Sequence, residues 1–362
     1  MCKMKRSVVS VYFNIFCLLI FVMPFSSPLA TDVGISSGRS INIEQRPGKF
    51  YPDFFETLPS LKGKTVVITG FSRGLGYVTA LSVAKKGATV FLLNRKSERA
   101  EESAAAIAAA TPEGIPSPRQ IECDLLDFAS VRTAAKLVKD YAPDGGAVDV
   151  LCCNAGIMLQ PDEASADGYD ITASTNMLSH FLLTKELMPS LEKAAAVRGE
   201  ARIVTMSSGS GFGKPSFNAK FFERNGGKLG DSSYERYHQS KLANLVFTKA
   251  LDDKLRAKNS NVIAVACHPG VCATDMFVHI GTTMRGEPPL LDSVPTAEDG
   301  SMAQLKCICE SGITSGDLWG PDFKRPGEVV HNDISPPLIL VDENVKTTLW
   351  ELCEKATGVF EL

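Results

Sequence analysis

The sequence predicts an α/β fold, a single doubly wound domain with a parallel sheet, preceded by an apolar N-terminal segment. Three observations predict it. From Lys64 onward, short apolar runs alternate with longer helical stretches. A glycine-rich turn follows the first of these runs. Hydrophobic residues make up 44% and charged residues 22% of the chain, the balance of an ordinary globular protein. Strands joined by helical crossovers lie parallel and are covered on both faces, so they read as near-continuous apolar runs.

The elements follow in order. Thr65–Thr69 is the first strand, and the glycine turn leads into a helix reaching about Lys86. Thr89–Asn94 is the second strand, with Ala/Glu-rich Ser97–Ala110 as the next helix. Arg119–Cys123 and Phe128–Tyr141 form the third strand and helix, Val148–Asn154 and Ser174–Ala196 the fourth pair. Arg202–Ser207, a helix over Tyr237–Ala257 and the strand Val262–His268 complete the pattern. No internal repeat and no compositional break marks a second domain in the 362 residues. Residues 61–362 are therefore expected to form one α/β domain, with the polar, Gly- and Pro-containing residues 31–60 as a linker.

Residues 1–30 read as a signal peptide or membrane anchor. Lys3, Lys5 and Arg6 precede an apolar stretch from Val8 to Phe25, about 18 residues, on the border between a signal-peptide core and a membrane span. A cut after Ala30 would put Pro28 at the third position before it, a poor match to the small-x-small pattern. The charge bias places the N-terminus on the cytosolic side. The expected location is the secretory route (endoplasmic reticulum membrane or lumen) or a plastid reached through a bipartite targeting sequence, not the free cytosol. Membrane association would run through residues 8–25. The single apolar run excludes a multi-span protein, and a net charge of −3 offers no basic field for nucleic acid.

The ten cysteines do not form a disulfide framework. Cys2 and Cys17 lie in the targeting segment. Cys152, Cys153 and Cys267 fall in strand-like runs, where neighbours point to opposite faces, so Cys152 and Cys153 are not placed to bridge. Cys307-x-Cys309 is no metal spacing, and no metal site is expected.

Thr69-Gly70-Phe71-Ser72-Arg73-Gly74-Leu75-Gly76 carries the spacing Gly-x-x-x-Gly-x-Gly. The glycines follow the first strand and open its helix, where backbone must approach a pyrophosphate closely. The second strand ends at Asn94-Arg95. A carboxylate there would accept from the ribose hydroxyls of NAD. Asn94 instead, with Arg95 beside it and Arg73 in the glycine turn, favours a 2′-phosphate and hence NADP(H). The alternative for Arg95 is a solvated surface charge.

Tyr237 and Lys241 stand at i and i+4, neighbours on one helix face. A tyrosine normally titrates near pH 10. A nearby ammonium and an oxidised nicotinamide are expected to lower that value. Tyr234 has His238, not Lys, four residues on.

These segments, in this order, resemble the short-chain dehydrogenase/reductase family, a Rossmann fold, from about Lys64 to the C-terminus. Thr69–Gly76, with Gly70, Ser72, Arg73, Gly74, Leu75 and Gly76, resembles its cofactor turn. Asp124-Leu125 resembles the pair that meets the adenine, and Asn154-Ala155-Gly156 the motif after the fourth strand. Asn176 resembles the family's helix asparagine, Ser208 its serine, and Tyr237 and Lys241 its Tyr–Lys pair. Pro269-Gly270-Val271-Cys272-Ala273-Thr274 resembles the segment that contacts the nicotinamide through Pro269, Gly270 and Thr274, with Cys272 where Val is usual.

The resemblance implies that Tyr237 passes a proton to or from the substrate oxygen. It implies that Lys241 lowers the tyrosine pKa and binds the nicotinamide ribose. Ser208 would donate to the carbonyl oxygen, with Ser207 as its rival, and Asn176 would hold a water that relays protons to Lys241. His238 and His268 are expected to be structural.

His180–Thr184, Ser240–Asn244, His268-Pro269-Gly270 and Leu349–Cys353 look like the retinol dehydrogenase group. WW-domain oxidoreductases and light-dependent protochlorophyllide reductases share much of this pattern. No WW domain precedes the fold, and Val271, not cysteine, directly follows Pro269-Gly270. The resemblance thus implies a small lipophilic carbonyl or alcohol as substrate, and a homodimer as in many relatives. A light-driven photoreductase and a non-catalytic NADP-binding regulatory protein are the alternatives. Gly209–Arg236 carries Phe212, Phe217, Phe221 and Phe222, which would either line a substrate pocket or pack the loop. Met276–Pro295 resembles the family's mobile lid.

Overall fold

The six short apolar runs expected to be strands each form one. A computed structural model describes residues 46–212, 216–287, 289–322, 324–332 and 342–362. The expected targeting segment, residues 31–45 and the side chain of Phe212 lie outside the description. Strands β1 (Thr65–Thr69), β2 (Thr89–Asn94), β3 (Arg119–Glu122), β4 (Val150–Cys153), β5 (Ala201–Met206) and β6 (Val262–Cys267) pair in parallel in the order β3-β2-β1-β4-β5-β6. Two strands that the sequence reading did not assign extend the β6 edge. β7 (Leu318–Pro321) is parallel to β6, and β8 (Val329–His331) is antiparallel to β7, completing an 8-stranded sheet. β7 interleaves Trp and Gly with Leu and Pro, which hides it from an apolar-run search.

Helices cover both faces. α1 (Tyr51–Thr57) precedes the sheet, α2 (Gly74–Lys85) follows β1, α3 (Glu98–Ala109) follows β2 and α4 (Phe128–Tyr141) follows β3. After β4 a single helical turn, Ile171–Ala173, passes through one π-helical turn, Ser174–Leu178, into α5 (Ser179–Arg198). α6 (Ser233–Ala257), α7 (Asp275–Arg285), α8 (Ala297–Cys309) and α9 (Glu343–Thr357) complete the set. Alternation along β4 divides the core. Cys152 packs with Val66, Ile68 and the α2–α3–α8 side, whereas Cys153 packs with Val67 and the α4–α5–α6 side.

Helix starts follow side-chain caps. Ser97 Oγ accepts from Ala100 N (3.2 Å) at α3, and Asp127 from Ala129 N (2.8 Å) at α4. α6 begins a turn before the expected Tyr237, because Ser232 Oγ accepts from Glu235 N (3.1 Å). Ser232 and Glu235 have the spacing of a capping box, a signal present in the sequence. The last part of the expected linker is structured: Lys49, Phe50 and Tyr51 donate their N–H groups to the Asp299 carboxylate (2.8–2.9 Å) at the start of α8.

Behind helix α6 lies an aromatic cluster. The Phe181 ring sits 5.1 Å from Trp350, 5.4 Å from Phe360 and 5.5 Å from Phe247. It clamps α9 and the C-terminal residues onto α5 and α6. Trp350→Ala should cost about 3–5 kcal/mol of unfolding free energy in urea titrations. Val197→Ala, at a side chain 71% exposed, should stay within about 0.5 kcal/mol.

Candidate active site

The strand order reverses between β1 and β4, which opens a crevice at the carboxyl ends of the strands. A cleft of about 720 Å3 occupies it, running from Arg95 past the glycine turn to Tyr237. Gly70 adopts φ +72°, and a side chain there would meet Ala155 Cα at 2.9 Å. A Cβ at Gly76 would collide with the Gly70 carbonyl and the Asn154 amide. Only bare backbone lets β1 turn into α2 beside the β4 turn, and the cradle it makes fits a dinucleotide pyrophosphate.

Thr69, at the tip of β1, holds the two turns together. Its Oγ accepts from Asn154 N and Ala155 N (3.0 Å each) and lies 2.9 Å from His180 Nε2. Asn154 Nδ2 returns bonds to the carbonyls of Thr69 (2.9 Å) and Gly70 (3.2 Å). His180 Nδ1 lies 3.3 Å from Asn176 O. That tautomer leaves Nε2 to accept the Thr69 hydroxyl proton.

Asn176 lies in the π turn, where Ser179 N donates to Ser174 O. Its side chain is fixed at both ends, accepting from Ile157 N (2.8 Å) and donating to Ile157 O (3.0 Å) and Ser240 Oγ (2.9 Å). A Cβ on Gly156 would stand 3.4 Å from both Asn176 Oδ1 and Lys241 Nζ, so both groups border this glycine. Lys241 Nζ donates to Met206 O (2.8 Å). Ser207 Oγ donates to the Lys241 carbonyl (2.9 Å) and so is turned into the scaffold. Ser208 instead shares a side-chain hydrogen bond with Tyr237.

Burial dominates the electrostatics. It pushes the Tyr237 hydroxyl up to about 12, against the pull of the Ser208 hydrogen bond. It pushes the Lys241 ammonium down to about 8. Lys241 Nζ lies 5.8 Å from the Tyr237 ring centroid, and loss of water disfavours the charged form of each group. Tyr237 is therefore a neutral phenol at pH 7, a proton donor.

At the opposite end, Arg73, Asn94, Arg95, Lys96 and Arg99 line the cleft. Arg99 was not singled out from the sequence, because its role depends on α3 turning it back toward the glycine turn. Asp124 Oδ1 accepts from Leu126 N (3.0 Å), ordering the turn after β3, and Leu125 lies beside it along the cleft. Pro269, Gly270, Cys272 and Thr274 line the Tyr237 side. The loop aromatics pack: Phe221 and Phe222 are buried in the core, Phe217 stacks on Phe222 at 5.4 Å, and none of the three lines the cleft. Met158, Gln160, Ile171, Thr175, Phe277 and Ile280 line it instead. The sequence carried no periodic signal for them, since they come from three separate segments. His238 Nδ1 faces Ser210 O at 3.0 Å, and its ring meets Tyr234 edge-on. The described cysteines are all free and buried. Among the described residues no helix is long and apolar enough to cross a membrane.

A family model of short chain dehydrogenases matches residues 64–220. Retinol dehydrogenase 14 of Mus musculus is 30% identical over 317 residues, covering 83% of this chain and 88% of its own length. An uncharacterised oxidoreductase of Schizosaccharomyces pombe is 35% identical over 224 residues, 61% of this chain and 64% of that protein. A crystal structure of an uncharacterised Mycobacterium paratuberculosis protein, 31% identical, covers 87% of this chain and is itself covered completely, with a TM-score of 0.67. The chain belongs to the short-chain dehydrogenase/reductase family and is an oxidoreductase. Within that family, it is similar to the retinol dehydrogenase group.

Burial holds His180 and His268 down to about 4, so both are neutral at pH 7. Unfolded, they would titrate near 6.5. Between these values the unfolded chain binds more protons, so stability falls as pH drops from about 6.5 to 4, by about 3 kcal/mol per histidine. Urea titrations across this window should show the loss, and His268→Gln should remove about half of it.

Proposed function

We propose that the protein is an NADP(H)-dependent oxidoreductase acting on the carbonyl or alcohol of a lipophilic small molecule. The observation that carries the reading is a buried Tyr237–Ser208 pair, with Lys241 one turn along, at one end of a cleft whose other end is lined by arginines. The nicotinamide supplies or takes the hydride. In reduction, Tyr237 gives its proton to the substrate oxygen while the Ser208 hydroxyl donates to the same oxygen as charge develops on it. Lys241 and Asn176, adjacent around Gly156, stand where a water would pass the replacement proton inward. Lys241 would also hold the ribose of the cofactor.

Arg73, Arg95, Lys96 and Arg99, with no carboxylate at Asn94, favour NADP(H) over NAD(H). Met158, Ile171, Phe277 and Ile280 support an apolar substrate. The printed name of the mouse relative, retinol dehydrogenase, points to the same chemistry. Residues 8–25 would attach the protein to an endomembrane, or route it to a plastid.

NADPH consumption by the whole chain in the dark, with a panel of lipophilic aldehydes and ketones that includes retinal, tests this reading. Turnover should exceed that with NADH, and Tyr237→Phe should lower kcat by about 10²- to 10⁴-fold. Cofactor binding without turnover on any substrate, or full activity of Tyr237→Phe, would overturn it. The rate should fall as pH rises through about 8, where Lys241 loses its proton, and Lys241→Arg should move that limb upward.

A further inference from the structure

The first residue of α7 reaches across the cofactor cleft. Asp275 Oδ2 accepts from Arg73 Nη1 at 2.7 Å and from Arg99 Nη1 at 3.0 Å. Arg73 caps α2 within the glycine turn, and Arg99 stands in the first turn of α3. The backbones are close as well, since a Cβ on Gly74 would lie 3.4 Å from Thr274 Cγ2. α7 continues from this point to the substrate end, where Met276, Phe277 and Ile280 line the cleft. One carboxylate therefore ties the segment that covers the substrate to both arginines on the cofactor side.

The charges do not balance within this cluster. A single carboxylate faces two guanidiniums, with Arg95 and Lys96 lining the same end. A phosphate monoester brings close to two negative charges and three acceptor oxygens, and guanidinium binds it bidentately. It would outbid Asp275, whose ion pairs are partly solvated: the Asp275 side chain is 24% exposed and that of Arg73 61%.

We propose that Asp275 is a built-in occupant of the 2′-phosphate site: it holds Arg73 and Arg99 until a 2′-phosphorylated nucleotide takes them, and its displacement frees the start of α7. The inference rests on the NADP(H) reading and deepens it. A 2′-phosphate would loosen the cover of the substrate pocket, whereas a nucleotide with a bare 2′-hydroxyl would leave the clasp closed. Choice of cofactor and access of substrate are thereby coupled through one carboxylate.

The test titrates the whole chain with adenosine 2′,5′-bisphosphate and with adenosine 5′-monophosphate, which lacks the 2′-phosphate. The wild-type protein should bind the bisphosphate more tightly. Asp275→Asn should tighten bisphosphate binding by a further three- to tenfold, on the order of one or two partly exposed ion pairs, and leave the monophosphate unchanged. Hydrogen exchange of the α7 amides should speed up when the bisphosphate binds to wild type. In Asp275→Asn it should be fast without ligand. Arg99→Met checks the same clasp from the other side, with weaker bisphosphate binding and faster α7 exchange. Unchanged or weaker bisphosphate binding by Asp275→Asn, or α7 exchange indifferent to the nucleotide and to Arg99→Met, overturns the clasp. Equal affinity of the wild type for the two nucleotides overturns the NADP(H) reading itself.

Discussion

The Thr69 hydroxyl is the point on which the site depends. It accepts from the first two backbone amides of the β4 turn and lies against the imidazole of His180. Through it, the end of β1, the Asn154–Gly156 turn and the π turn bearing Asn176 form one hydrogen-bonded unit. Thr69, Asn176 and His180 are fully buried, where an unmade bond costs more than a made one returns. The glycine cradle, the position of Asn176 and the gap into which Lys241 reaches all follow from that unit. His180, neutral in its apolar surroundings, closes the network without adding charge beside Lys241.

A second constraint is dryness. Tyr237 and Lys241 are both almost fully buried, and each is pushed toward its neutral form. Burial thus favours the protonated phenol of Tyr237 and eases loss of the proton from Lys241 one helical turn away. Arg236, next to Tyr237, shows the complementary strategy. Its guanidinium donates to Asp170 and to the carbonyls of Gln160 and Pro161 at 2.6–3.0 Å. That buried pair fixes the start of α6 against the loop that carries Gln160 into the cleft.

Much of the architecture was legible residue by residue. Parallel strands are covered on both faces, so β1, β2, β4, β5 and β6 read as apolar runs, and the structure moves their ends by only one or two residues. The glycine turn and the Tyr237–Lys241 pair were legible because a single local element carries each spacing. β7 and β8 were missed because Gly, Pro and His interrupt them, and their strand character comes from pairing beside β6. The π turn was missed because nothing in Ser174–Leu178 differs from an ordinary helical sequence. The aromatic loop offered two readings, and packing against the core selected one.

The sequence by itself determined the fold class, the cofactor turn and the identity of the groups facing each other across the cleft. The fold class rests on local periodicity, the turn on glycine where only glycine fits, the Tyr237–Lys241 pair on one helical turn, and the other facing groups on family resemblance. Only the tertiary structure decided which serine meets Tyr237, that burial raises the tyrosine pKa and lowers that of Lys241, and that Arg99 joins Arg73 on Asp275. Each of these turns on distances between segments far apart in the chain and on how much water remains between them, and neither quantity is written in any local pattern.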